Sequence, residues 1–97
     1  MTSKPTVYTV TVSALALHQL DEACAYIHAQ GSPLAAQRLA TRFLEAIETL
    51  ESHPQRGRSA PGGLHELVVV QPYVIRYRVR ANTVEVVRIR HTAQRPT

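Results

Sequence analysis

The sequence predicts an α+β domain: an N-terminal helical hairpin packed on an antiparallel sheet of three to four strands. Three observations carry that expectation. From Leu64 to His91 the chain runs through three short segments rich in Val, Ile and Tyr, separated by turn signals at Gln71-Pro72 and Ala81-Asn82. Connections that short force antiparallel neighbours. Before them, apolar residues recur at helical spacing in two blocks broken at Gly31. Finally, 97 residues with 44% apolar content hold one modest core. Residues 1–97 are therefore read as a single domain, with 1–5 and 92–97 frayed at its ends.

The elements follow in order. Thr6 to Val12 alternates, with Tyr8, Val10 and Val12 on one side, the pattern of a short strand whose apolar face meets a core. Ser13 is placed to cap a helix running to about Gln30. In it Ala16, Leu20, Ala23 and Ile27 line one face, widened by Leu17 and Cys24. Gly31 stops that helix. Ser32-Pro33 starts another, with Ser as N-cap and Pro at the first helical position, where its missing N–H costs nothing. Ala36, Leu39, Ala40, Phe43, Ile47 and Leu50 form its apolar stripe, and His53-Pro54 ends it.

After a loop rich in Pro and Gly, Leu64 to Val70 is the second strand. In the third, Tyr73, Ile75, Tyr77 and Val79 share the face turned to the helices. Val74, Arg76, Arg78 and Arg80 share the open one. In the last strand Val87, Ile89 and His91 alternate with Val86, Arg88 and Arg90. A turn of two or three residues at Ala81-Asn82 decides which set joins the core. The preferred arrangement puts Val87 and Ile89 inward and Arg88 and Arg90 beside Arg76 and Arg78.

Charge divides unevenly along the chain. Residues 1–53 carry three Lys/Arg against five Asp/Glu, and residues 54–97 carry eight Arg against two Glu. Arginine offers a planar fork of donors suited to carboxylates and phosphates, so an acidic or polyanionic partner is expected. One cysteine, Cys24, excludes an intrachain disulfide and fits a reducing, cytoplasmic location. No stretch approaches the roughly 20 apolar residues of a membrane span.

The order of these segments resembles the RelE/ParE toxin superfamily of type II toxin–antitoxin pairs, and more closely its ParE branch of plasmid-stabilisation type. The residues that carry the likeness are SPLAAQRLATRFLEAIETLESHP from Ser32, Gly57-Arg58, Leu64-His65-Glu66-Leu67, Tyr73 to Val79, and Val86 to His91. His65 departs from the Leu-Arg-Glu-Leu common in that family. The resemblance implies a growth-inhibiting toxin held in a hetero-oligomer by a cognate antitoxin, with DNA gyrase as target in the ParE branch. In the RelE branch the target is the ribosome, where the toxin cleaves messenger RNA.

The residues weigh between these branches. Metal-independent RNA cleavage needs a proton acceptor, a proton donor and cations to hold the charged phosphate. His91, Arg76 and Arg88 are the candidates for a nuclease. However, the family's nucleases that end in His often carry a Tyr directly after it, where this chain has Thr92. They often have an Arg three residues before the strand tyrosine, where it has Val74. The loop lacks the Lys or Glu of such enzymes. The expectation is therefore a non-catalytic, gyrase-directed toxin. Its partner-binding residues are Arg58, Arg76, Arg78, Arg88, Arg90 and Arg95. A basic nucleic-acid-binding module is the further alternative.

Single residues leave narrower alternatives. Arg58 is either presented to a partner or hydrogen-bonded to loop carbonyls or Glu66. Tyr73 and Tyr77 either stack on a base or fill a partner's pocket, or, as the alternation of the strand favours, belong to the core. His91 is either a functional remnant or a residue that closes the sheet. Cys24 and His28 share a helical face, but a thiol and an imidazole alone do not close a zinc site. No cofactor or metal is expected.

Overall fold

The structure is a computed structural model and describes residues 7–93. Strand β1 (Thr9–Val12) leads into helices α1 (Ala14–Ala29) and α2 (Pro33–Ser52). A three-residue strand β2 (Arg58–Ala60) and a 3₁₀ turn at Pro61–Gly63 follow. Strands β3 (Leu64–Val70), β4 (Tyr73–Arg80) and β5 (Thr83–His91) complete the chain. Thr6, the expected start of the first strand, lies outside the described residues.

The helix boundaries have local causes. Ser13 is extended, and its Oγ accepts from Ala16 N at 3.0 Å while donating to Val87 O at 3.1 Å. One hydroxyl thus caps α1 and ties it to β5. Replacing Ser13 with Ala is expected to lower the unfolding free energy by about 1–2 kcal/mol, measurable by urea titration. At the other end Gly31, at φ +87°, donates to His28 O, and Ser32 donates to Ile27 O at 3.3 Å. That pair of hydrogen bonds satisfies the Ile27 and His28 carbonyls, and glycine adopts its left-handed backbone without a Cβ penalty. Ser32 also precedes Pro33 at the N-cap of α2, but its hydroxyl makes no cap hydrogen bond. Its backbone is already committed to closing α1.

The sheet has five strands in the order β1-β5-β4-β3-β2, one more than the upper end of the expected count. It is mixed: β1 runs parallel to β5, pairing Thr9 with Thr83 and Val12 with Val86, while the other pairs are antiparallel. The purely antiparallel expectation is corrected here. Only strands linked by tight turns are forced antiparallel, and both helices intervene between β1 and the rest. The core lies between α2 and the sheet, with Phe43, Leu50, Ile75, Tyr77, Val84 and Val86 at its centre and Ala16 contributed by α1. Tyr8, Val10 and Val12 pack against it as the alternation required. Leu17 does not widen the stripe of α1; it is exposed.

Strand β5 answers the question of facing in a way neither alternative allowed. The turn holds two residues, with Ala81 at φ +50° and Arg80 opposite Thr83. That register carries Val84 and Val86 into the core. Between Tyr77↔Val86 and Arg76↔Arg88 the register shifts by one, leaving Val87 as a bulge. Beyond it Ile89 faces inward. Val87 was expected inward with Ile89; Val84 and Val86 take that role instead. Without the bulge, Arg88 would stand opposite Ile75 and enter the core. One extra residue avoids burying that charge.

Candidate functional site: the arginine face

The face of the sheet turned away from the helices is organised by cross-strand rows. In one row Arg58 of β2, Glu66 of β3, Arg76 of β4 and Arg88 of β5 stand side by side. The next holds Val68, Val74 and Arg90. A third, on the other side, pairs Arg78 with Glu85. The arginines expected on one face are therefore brought together there, Arg58 included. Arg95 lies outside the described residues.

Glu66 is the hub. Arg58 donates to its Oε1 at 2.9 Å and Arg76 Nε donates to Oε2 at 3.1 Å, with an Arg90 guanidinium nitrogen 3.9 Å from Oε2. Arg58 remains 79% exposed, whereas the Glu66 and Arg76 side chains are only 10% and 19% exposed. The hydrogen bond from Arg58 holds the Glu66 carboxyl below the usual carboxylate range. Burial opposes this, and Arg76 reinforces it. Arg58 thus makes the bond to Glu66 named among its alternatives while keeping most of its side chain exposed. Arg78 reaches Glu85 at 3.8 Å on a more exposed part of the face. Among the described residues the Arg88 side chain makes no ion pair or hydrogen bond, and its cross-strand neighbour Arg76 has the same charge.

Val74 shares the face of the arginines, as the alternation predicts, yet it is 1% exposed rather than open. The long aliphatic stems of arginines beside it are in position to cover it. This face is accordingly a half-buried ion-pair cluster rather than a solvated surface.

His91 stands on the other side of the sheet. It pairs with Tyr73 across β4 and β5, and the two rings meet edge to face at 5.2 Å. Together with Gln19, Glu22, Tyr26 and Arg90 they border a cleft of about 470 Å³ between α1 and the end of the sheet. His91 Nδ1 accepts from Ala93 N at 3.0 Å, and Gln19 Oε1 accepts from Ile89 N at 2.9 Å. Burial pushes the Tyr73 phenol upward, with Tyr26 and Cys24 adding to it. The conditional nuclease set of His91, Arg76 and Arg88 is thus split across the sheet: the imidazole faces α1, and the two guanidiniums face away.

Tyr77 is a core residue, as read, with a role for its hydroxyl as well. It donates to Pro54 O at 2.8 Å and accepts from Gly57 N at 2.8 Å, fixing the segment that delivers Arg58 to the sheet edge. Burial raises its pKa, partly offset by the Gly57 hydrogen bond. His65 stacks on its ring at 5.2 Å and 20°. Sequence reasoning missed both Glu66 as the centre of the face and β2 as a strand. The available signal for Glu66 was its even spacing from Leu64 and Val68, which opposes it to His65 and Leu67.

Comparisons with known proteins agree with this architecture. A family model for the ParE toxin of the type II toxin–antitoxin system parDE matches residues 10–96. Toxin RelE2 of Caulobacter vibrioides is 57% identical over 65 residues, covering 67% of this chain and 74% of that protein. Toxin RelE1 of the same organism is 33% identical over 87 residues, covering 87% and 92% respectively. A chain of the chromosomal ParDE system of P. aeruginosa superposes with a TM-score of 0.75 over 89% of this chain and 97% of that one. At 18% identity, that likeness is one of fold. Among the described residues no helix is long and apolar enough to cross a membrane. With the family match spanning nearly the whole sequence, the chain belongs to the ParE toxin family of type II toxin–antitoxin systems.

Proposed function

We propose that this toxin acts by docking on DNA gyrase rather than by cutting RNA, and that a cognate antitoxin neutralises it in a hetero-oligomer in the cytoplasm. The observation that supports the non-catalytic reading is the separation of His91 from Arg76 and Arg88 by the thickness of the sheet. General acid–base cleavage needs proton-transfer groups and charge-stabilising groups around the same phosphate. Here the Arg76 guanidinium holds a carboxylate, Glu66, and the imidazole faces a tyrosine.

In this reading Arg58, Arg76, Arg78, Arg88, Arg90 and Arg95 supply the electrostatic part of partner binding. Charge reversal at Arg78 or Arg88 should weaken antitoxin binding about tenfold and flatten its salt dependence, measured by calorimetry at two ionic strengths. Unchanged affinity in both variants would remove these residues from the interface. The target is tested by adding purified toxin to a gyrase supercoiling assay and, separately, to translating ribosomes with mapping of RNA ends. Loss of supercoiling with intact message is the expected result.

A second reading is a ribosome-dependent endoribonuclease built on the cleft beside α1. What favours it is the grouping of Glu22, Tyr26, Tyr73, Arg90 and His91 around one opening. New RNA ends on ribosomes, abolished by His91→Ala, would establish that reading and overturn the first.

A further inference from the structure

The row Arg58–Glu66–Arg76–Arg88 ends on an arginine whose side chain has no ion-pair or hydrogen-bond partner among the described residues. In an antiparallel pair, directly opposite side chains have Cβ atoms about 5 Å apart, and like charges there are destabilising. Four guanidiniums, those of Arg58, Arg76, Arg88 and Arg90, stand in the two adjoining rows where Glu66 supplies the one carboxylate among the described residues. Three of them lie within 4 Å of that carboxylate, and Arg88 is the one outside its reach.

We infer that Arg88, with the adjoining flank of Arg76, is a docking point for a side-chain carboxylate on an acidic segment of a protein partner. The inference rests on the partner-binding reading of this face and names the chemistry of the partner at one position. A carboxylate between Arg76 and Arg88 would relieve their opposition and extend the alternation of charge already present in the row. Both carboxylates on this face, Glu66 and Glu85, are held by cross-strand arginines in this manner.

The same two acids argue against a nucleic-acid backbone. A phosphate chain crossing the strands from Arg88 meets Glu66 at the centre of the row. One running along β5 past the bulge meets Glu85. Each of those two paths sets a phosphate against a carboxylate, which a single side-chain carboxylate at Arg88 avoids, whereas a nucleic acid brings a charge at every nucleotide.

The test uses a fluorescein-labelled peptide of eight glutamates, an eight-nucleotide oligothymidine, and the full chain at low salt. The glutamate peptide should bind the wild type more tightly than the oligonucleotide does. Arg88→Gln should weaken peptide binding about tenfold. Arg38→Gln, an exposed change on α2, should leave it unaltered. Arg88→Gln should also unfold at the same or a higher temperature than wild type, because it breaks no internal pair and removes a like-charge contact.

Equal peptide binding by Arg88→Gln and wild type, or an equal loss in Arg38→Gln, overturns the inference. So does tighter, Arg88-dependent binding of the oligonucleotide. Growth arrest on expression, relieved by co-expressing the antitoxin, tests the underlying reading separately. A chain that arrests growth but lacks Arg88-dependent peptide binding sinks this inference alone.

Discussion

Gly57→Ala is expected to cost about 3 kcal/mol of stability, a large effect for adding one methyl group beside an irregular segment. A Cβ built at Gly57 would sit 2.6 Å from Tyr77 Oη, 2.9 Å from Tyr77 Cε1 and 2.8 Å from the Glu66 carbonyl oxygen. None of the three can retreat easily. The tyrosine hydroxyl is pinned between Pro54 O and Gly57 N, its ring is stacked on His65, and Glu66 O belongs to the backbone of a paired strand. Relief would require the 54–57 segment to lift, which would withdraw Arg58 from Glu66. Tyr77→Phe makes the complementary change. It leaves the Gly57 N–H and Pro54 C=O without their partner, and should cost about 2 kcal/mol.

The double variant decides whether the two act through one contact. Removing the hydroxyl removes the closest clash, so the combined loss should fall about 1 kcal/mol short of the sum of the single losses. Urea denaturation of the four proteins gives each value. A Gly57→Ala loss under about 0.5 kcal/mol would mean the segment is not held as described.

How far these features can be read before folding depends on how local their causes are. The helices were legible because a capping serine, a left-handed glycine and a first-turn proline act within a few residues. The alternation of β1 was legible too, but its parallel pairing with β5 joins Thr9 to Thr83 across the whole chain, beyond any local pattern. Arg58-Ser59-Ala60 has no strand-like composition; it is a strand because Glu66, His65 and Leu64 lie opposite it. In β5 a trace of the bulge is visible in retrospect. The inward residues Val84, Val86 and Ile89 are spaced by two and then three, where an unbroken strand would keep two. Arg76, Arg78 and Arg80 could be assigned to one face by counting alone, whereas Arg88 and Arg90 join them only through the bulge at Val87. Their dependence on Glu66 could not, because that needs the register of β3 against both neighbours.

Glu66→Gln should destabilise the protein by about 3 kcal/mol at neutral pH, and the size of that loss should shrink as the medium is acidified. The amide keeps the shape of the side chain but removes the one negative charge on which Arg58, Arg76 and Arg90 converge. Leaving partly buried guanidiniums without a counter-charge is costly, more so for Arg76 than for the exposed Arg58. The pH dependence follows from the lowered carboxyl pKa in the folded state. A depressed pKa contributes stability that is complete above the unfolded value, about 4.3, and is lost as pH falls through the folded value. Wild type and Glu66→Gln should therefore differ most near pH 7 and converge on acidification from about pH 5 downward. Glu85→Gln provides the contrast. Its arginine is 3.8 Å away and both partners are well exposed, so its loss should stay within about 1 kcal/mol. Unfolding free energies across this range would separate the two acids. A Glu66→Gln deficit that persisted undiminished at pH 3 would mean that the amide's fit, and not the missing charge, was being measured.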